Sequence, residues 1–188
     1  QYLGHSIEEI AREKAGIIKK EIPVITGVTQ RNIIKLYENI AKENNASLYR
    51  MKKDFRAEIK DNGIFDYSGI YHKLNNVKIN LKGRHQIDNA ALAIAAVELL
   101  IKKKKLNFKE DSIKKGLSSV NWPGRLEMIW HTPPVLVDGA HNVSSIKTLC
   151  NCLLNDYKYN RLFLVIGIMA DKDIEGILSA IIPIADKV

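Results

Sequence analysis

Helix-period and strand-period segments alternate at the start of this chain and again at its end. Few features constrain a fold more, because alternating helices and strands argue for a parallel sheet with helices packed on it. Residues 7–19 read as a helix, "IPVITG" (residues 22–27) as a short strand, and residues 30–44 as a second helix. Near the C-terminus "PVLVD" reads as a strand, residues 144–157 as a helix, and "RLFLVIG" (161–167) as a buried strand. Residues 173–182 read as another helix, and "IPIADKV" as the start of a further strand.

Between these stretches the texture changes. From residue 46 to 81, "ASLYRM", "FRAEIK", "GIFDYSG" and "VKINLKG" are short, alternating and separated by Asn, Gly and Asp, which predicts antiparallel strands with a turn at "DNG" (61–63). "NAALAIAAVELLIKKKK" (89–105) then reads as a largely buried, Ala-rich helix, and a shorter helix follows at 109–117. Trp122-Pro123-Gly124 reads as a linker. The expected division is residues 1–120 and 121–188.

The 188 residues carry a net charge of +8. Much of that excess is the run Lys102 to Lys105 at the end of a predicted helix, where lysines complement the helix dipole. With no basic stripe interleaved with aromatics, a nucleic-acid partner is not expected, and anionic small molecules suit the charge equally well. No apolar run is long enough to span a membrane. Cys150 and Cys152, two apart on a predicted helix, are expected to be reduced thiols of a cytoplasmic protein.

Four places can carry chemistry. In "VLVDGAHN" (135–142) an apolar strand ends in Asp138 and turns through Gly139 and Ala140. His141 and Asn142 then precede a helix capped by Ser144 or Ser145. Ligands of open α/β sheets sit at such strand ends, where a carboxylate can take ribose hydroxyls and an imidazole can approach phosphate; the plain alternative is a capped turn with a surface histidine. In "NWPGRLE" (121–127), Arg125 follows the linker, and either clamps a phosphate or makes a surface ion pair. Asn89, near the start of the buried helix, either pairs with an adenine edge or caps the helix. In "EEIAREKAGI" (8–17), Ser6 and Glu9 form a capping-box pattern, and Ile7, Ile10, Ala11 and Lys14 share a helix face. Lys14 is then either a snorkelling side chain or a partly desolvated amine able to take up CO2 as a carbamate.

Together, "LGHSIEEIAREKAGIIK", "IPVITG", "LKGRHQIDNAALAIAA", "VNWPGRLE", "VLVDGAHN" and "GIMADKD" resemble, in order and from end to end, the folylpolyglutamate synthase/dihydrofolate synthase family of the Mur ligase superfamily. The resemblance implies an α/β fold. Residues 1–120 would be the C-terminal part of a central ATP-binding domain, with a parallel sheet and a small antiparallel sheet. Residues 121–188 would be the first half of a Rossmann-like C-terminal domain.

It also implies an ATP- and Mg2+-dependent ligase that joins L-glutamate to a folate or dihydropteroate carboxylate through an acyl phosphate. Lys14 then matches the carbamylated lysine supporting magnesium, and Asn89 the adenine contact. Arg125 and Asp138 match nucleotide contacts, and His141 a histidine near the phosphates. Asp171 to Asp173 match a loop of unspecified role, and Val143 stands where the family usually has proline. No G-x-x-x-x-G-K-[ST] string is present, and the family's metal-binding histidine would fall before Gln1, so His5 is not its counterpart. The 188 residues are therefore expected to be a fragment, inactive alone, whose exposed sheet edge can be covered by self-association. Another Mur-type ligase of cell-wall synthesis, or a non-catalytic basic binding domain, are the competing readings.

Overall fold

The computed structural model describes residues 6–61 and 63–188; the segment containing His5 and the central residue of the "DNG" turn lie outside the described residues. The chain forms two compact units. The first comprises residues up to Asn80 together with Gln86–Val120, and the second comprises Leu81–His85 and Asn121–Val188. The second unit thus includes a short stretch from the middle of the chain, which the sequence did not signal.

In the first unit, helix α1 (Ile7–Ala15) opens with the expected capping box. The Ser6 hydroxyl accepts from the Glu9 N–H at 3.1 Å, and the Glu9 carboxylate accepts from the Ser6 N–H at 3.3 Å. The helix ends at Gly16, earlier than expected. Strand β1 (Val24–Thr26) and helix α2 (Arg31–Glu43) follow. Strand β2 (Leu48–Arg50) then pairs with β1 in parallel, Val24 opposite Leu48. "ASLYRM" was expected among the antiparallel strands. It joins β1 instead, because the α2 crossover returns the chain in the same direction.

The antiparallel sheet is built from β3 (Arg56–Asp61), β4 (Ile64–Ser68) and β5 (Lys73–Lys78), in that order. Strand β5 begins several residues before "VKINLKG", and Ile79 is tied by its N–H to the Gly63 carbonyl at 3.0 Å. Phe65 and Tyr67 are buried two residues apart on β4, and opposite them Val77 and Leu74 of β5 are buried three apart, because the register shifts between the two pairs. Helix α3 (His85–Lys104) is buried along Ile87, Ala90, Ala91, Ile94 and Ala95, as its composition predicts. Helix α4 (Glu110–Ser119) completes the unit.

In the second unit, β6 (Glu127–His131) and β7 (Pro134–Val137) form an antiparallel hairpin. Strand β6 was not foreseen, and β7 is mostly exposed rather than buried in a parallel sheet. Helix α5 (Val143–Asp156) is capped by Asn142, with Ser145 as its capping-box partner, instead of by Ser144 or Ser145. Helix α6 (Ile174–Ile181) is capped by Asp173. Ile146 and Cys150 of α5 pack with Ile177 and Ile181 of α6, and Leu164, Ile166 and Ile168 lie against them.

Those last three alternate with Val165, 99% exposed, and Phe163. "RLFLVIG" is therefore an extended segment with one face covered, not a buried strand. Among the described residues its ladder contacts are with residues 186 and 187, where a single parallel bridge joins Phe163 to Lys187. Cys150 and Cys152 are free, and burial pushes both thiols up, which keeps them protonated and unreactive.

Candidate nucleotide-contact site

The corner between the linker and the β6–β7 hairpin brings Arg125, Asp138 and His141 together. Gly124 and Leu126, on either side of Arg125, both have left-handed backbone, with φ +69° and +47°. That conformation is free for glycine and costs about 1–2 kcal/mol for leucine. It persists because the turn is held at several points. The Leu126 N–H donates to the Asp138 Oδ2 at 2.9 Å, and the Gly139 N–H to the Gly124 carbonyl at 2.8 Å. The Gly124 N–H donates to the Glu127 Oε2 at 2.7 Å. Leu126 itself is buried, so the turn anchors inward at 126 while Arg125 stays exposed. A Cβ built on Gly139 would come within 2.7 Å of the Arg125 Nη1: the guanidinium lies across the glycine.

Asp138 also accepts from the Ala140 N–H through Oδ1 at 2.8 Å. Each oxygen thus already serves a backbone donor, and each keeps one lone-pair direction for a ligand. The carboxylate builds the turn first, as the plain alternative of a turn-holding aspartate beside a surface histidine has it. His141 is exposed, with its Nδ1 2.9 Å from the Gly139 carbonyl. A carbonyl can only accept, so Nδ1 carries the proton and Nε2 is left as the atom able to meet a ligand. The start of α5 is closed on itself, since the Ser145 hydroxyl accepts from the His141 and Asn142 N–H groups at 3.1 Å each.

The other two candidates belong to the first unit. Asn89 is the fifth residue of α3, exposed, and its amide donates to the buried Gln86 Oε1 at 3.1 Å. It is not a helix cap, and its amide oxygen remains available to a base edge. Lys14 departs from expectation. It is exposed, and within α1 the buried residues are Ala11 and Ala15, one turn apart. Small residues allow the close approach there, which leaves Ile7 65% exposed and Lys14 on the flank of the stripe. The partial burial from which a desolvated amine was argued is absent. Lys14 stands at the rim of an open apolar hollow of about 490 Å3, lined by Ile18, Val24, Ile25, Val28 and Leu92 among others. Asp171 pairs with Lys172 at 2.6 Å, and Asp173 caps α6.

Two carboxylates escaped the sequence reading. Glu127 has a visible signal, since it lies three residues after Gly124, the spacing at which a side chain reaches back to a turn N–H. Glu98 has none. It is fully buried on α3 and its donors come from 26 to 31 residues away. Among the described residues no group of three or more His, Cys, Asp and Glu could hold a metal ion.

A family model for the Mur ligase glutamate ligase domain matches residues 124–188, starting at the glycine of this turn. The dihydrofolate synthase/folylpolyglutamate synthase of Bacillus subtilis is 34% identical across 99% of this chain and 44% of its own length. That of Mycobacterium tuberculosis is 33% identical across 100% of this chain and 41% of its own. The M. tuberculosis folylpolyglutamate synthase complexed with ADP aligns at a TM-score of 0.88 and 30% identity, covering 99% of this chain and 43% of that one. A folylpolyglutamate synthase complex with AMPPCP and folate gives a TM-score of 0.92 at 30% identity, over 99% and 46%. The chain spans less than half the length of these relatives. With a glutamate ligase domain matching from Gly124 onward, this α/β chain is similar from end to end, in sequence and in structure, to a part of the folylpolyglutamate/dihydrofolate synthases.

Proposed function

We propose that the whole protein containing this chain joins L-glutamate to the carboxylate of a folate or dihydropteroate at the expense of ATP. The observation that carries this reading is the 0.92 TM-score, over 99% of the chain, to a synthase holding AMPPCP and folate. ATP supplies the phosphoryl group that turns the carboxylate into an acyl phosphate; the amine of L-glutamate attacks the acyl carbon and phosphate leaves. In this reading Arg125 clamps phosphate oxygens with its planar fork. Asp138 takes ribose hydroxyls with the lone pairs left by the turn, and His141 reaches the phosphates through Nε2. Asn89 meets the adenine edge.

Lys14, exposed at its hollow, is open to CO2, and as a carbamate would support magnesium held by residues outside those described. The 188 residues contain no P-loop string, so we expect no ATP turnover from them alone. A cytoplasmic location belongs to the same proposal, and no described helix is long and apolar enough to cross a membrane. The ligands are small molecules, with no nucleic-acid partner.

The test is ADP release by the whole protein given 7,8-dihydropteroate or a reduced folate with L-glutamate. Turnover only with a UDP-muramoyl substrate would place it on the cell-wall branch instead. Salt-sensitive binding of single-stranded DNA without ligase activity would make it a basic binding domain.

A further inference from the structure

The turn that presents Arg125 is held by a group that no site reading includes. Glu127 is the first residue of β6, half-buried, and its Oε2 accepts from the Gly124 N–H at 2.7 Å. A side chain reaching back three residues closes the Gly124–Glu127 turn from below, while the Asp138 Oδ2 fixes the Leu126 N–H from the other side. Arg125 is thus caught between two carboxylates that bind its neighbours' backbone and leave its guanidinium free of either. That is an unusual economy for an arginine two residues from one acid. The plain expectation is an ion pair with Glu127, yet the carboxylate is spent on a backbone N–H and the guanidinium lies over Gly139. The left-handed Leu126 is the cost of the arrangement, and a strained, over-determined backbone beside an exposed cation marks a group held for a ligand.

We infer that Glu127 is a positioning residue that sets the Arg125 guanidinium for a nucleotide phosphate through the Gly124 N–H, as a hydrogen-bond acceptor rather than as a charge. The inference rests on the reading of Arg125 as a phosphate contact. It makes a chemical distinction that a purely electrostatic or ligand-contacting role would not. A glutamine at 127 keeps a carbonyl acceptor for Gly124 and loses only the charge; an alanine loses both.

The experiment is calorimetric titration of the whole protein with ADP, alongside hydrogen exchange of the Gly124 amide. Arg125→Ala should weaken ADP by roughly tenfold or more. Glu127→Ala should weaken it about three- to tenfold and speed Gly124 exchange. Glu127→Gln should stay within about twofold of the native protein in both. In the Arg125→Ala background, adding Glu127→Ala should cost no further affinity, because a residue acting through Arg125 has nothing left to position. If Glu127→Gln is as damaging as Glu127→Ala, the charge matters and the inference is overturned. Equal losses from Glu127→Ala with and without Arg125 overturn it too, as they mark general damage to the fold. If Arg125→Ala leaves ADP affinity unchanged, the phosphate-contact reading itself fails.

Discussion

Glu98 in the first unit and Asp138 in the second do the same elementary thing. Each is a carboxylate that gathers the backbone N–H groups of a loop. Glu98 accepts from Ile70, Tyr71 and His72 N–H at 3.0, 3.2 and 2.7 Å, and from the Tyr67 hydroxyl at 2.7 Å. The His72 ring, stacked on Phe108 at 3.8 Å, adds its Nδ1 at 3.2 Å. Asp138 accepts from two N–H groups at a half-buried corner. Glu98 is enclosed: a Cβ on Gly69 would come within 2.5 Å of its Oε2 and 2.6 Å of its Oε1, so not even a methyl group can approach. Every acceptor direction is used, and burial together with the Glu98 carboxylate pushes the Tyr67 phenol up, keeping it a donor. Asp138 keeps spare lone pairs beside an exposed arginine and histidine. A saturated, sealed carboxylate holds a fold together, whereas an unsaturated one at the surface can also hold a ligand.

The contrast orders the expected effects. Glu98→Ala would leave the buried Tyr67 hydroxyl and four part-buried donors of residues 70–72 without their acceptor, and should cost about 3 kcal/mol in denaturant unfolding; a loss under about 1 kcal/mol would mean that water replaces the carboxylate. Asp138→Ala should cost less, about 1–2 kcal/mol, because water can reach the two freed N–H groups. Asp138→Asn, which retains one acceptor and suits the turn, should recover most of that loss. Should Asp138→Ala prove the more damaging, the distinction drawn here fails. Asn142→Ala removes the α5 cap, for about 1 kcal/mol, and Asn142→Ser should be nearly neutral.

The smallest effect concerns pH. The hydrogen bond from Lys60, and then the Asn76 N–H, hold the half-buried Asp66 carboxyl below the usual carboxylate range. A depressed folded-state pKa adds stability that is complete above the unfolded value. It is lost as pH falls through the folded one, on the acid side of the ordinary carboxylate range. Asp66→Asn should flatten that acid limb of a stability–pH curve and leave neutral pH almost untouched.

Sequence-local features were legible. The Ser6–Glu9 box, the span of α2 and the buried stripe of α3 all follow from neighbours within four residues. The Arg125, Asp138 and His141 corner was legible as a candidate, because a carboxylate, an imidazole and an arginine near a strand end suit a nucleotide as well as a plain turn. Its architecture was not, since Asp138 reaches Leu126 across twelve residues through a hairpin whose first strand, "EMIWH", reads as the tail of a linker. Lys14 misled because helix periodicity gives a face and not its partner; the partner contacts the alanines. "RLFLVIG" misled for a similar reason, as an apolar run becomes a strand only when another backbone lies beside it. Glu98 could not be read at all, since a glutamate in a helix looks solvent-exposed until a distant loop is folded over it.

We propose that the Arg125 corner binds nucleotide, whereas the Glu98 cluster only holds the fold. The most direct test is ADP affinity by calorimetry for the whole protein, its Arg125→Ala variant and its Tyr67→Phe variant, which removes one donor to Glu98. The account predicts at least a tenfold weaker ADP affinity for Arg125→Ala with little change in unfolding midpoint. For Tyr67→Phe it predicts a lower midpoint and unchanged affinity. Native ADP affinity in Arg125→Ala, with weakened affinity in Tyr67→Phe, would contradict it.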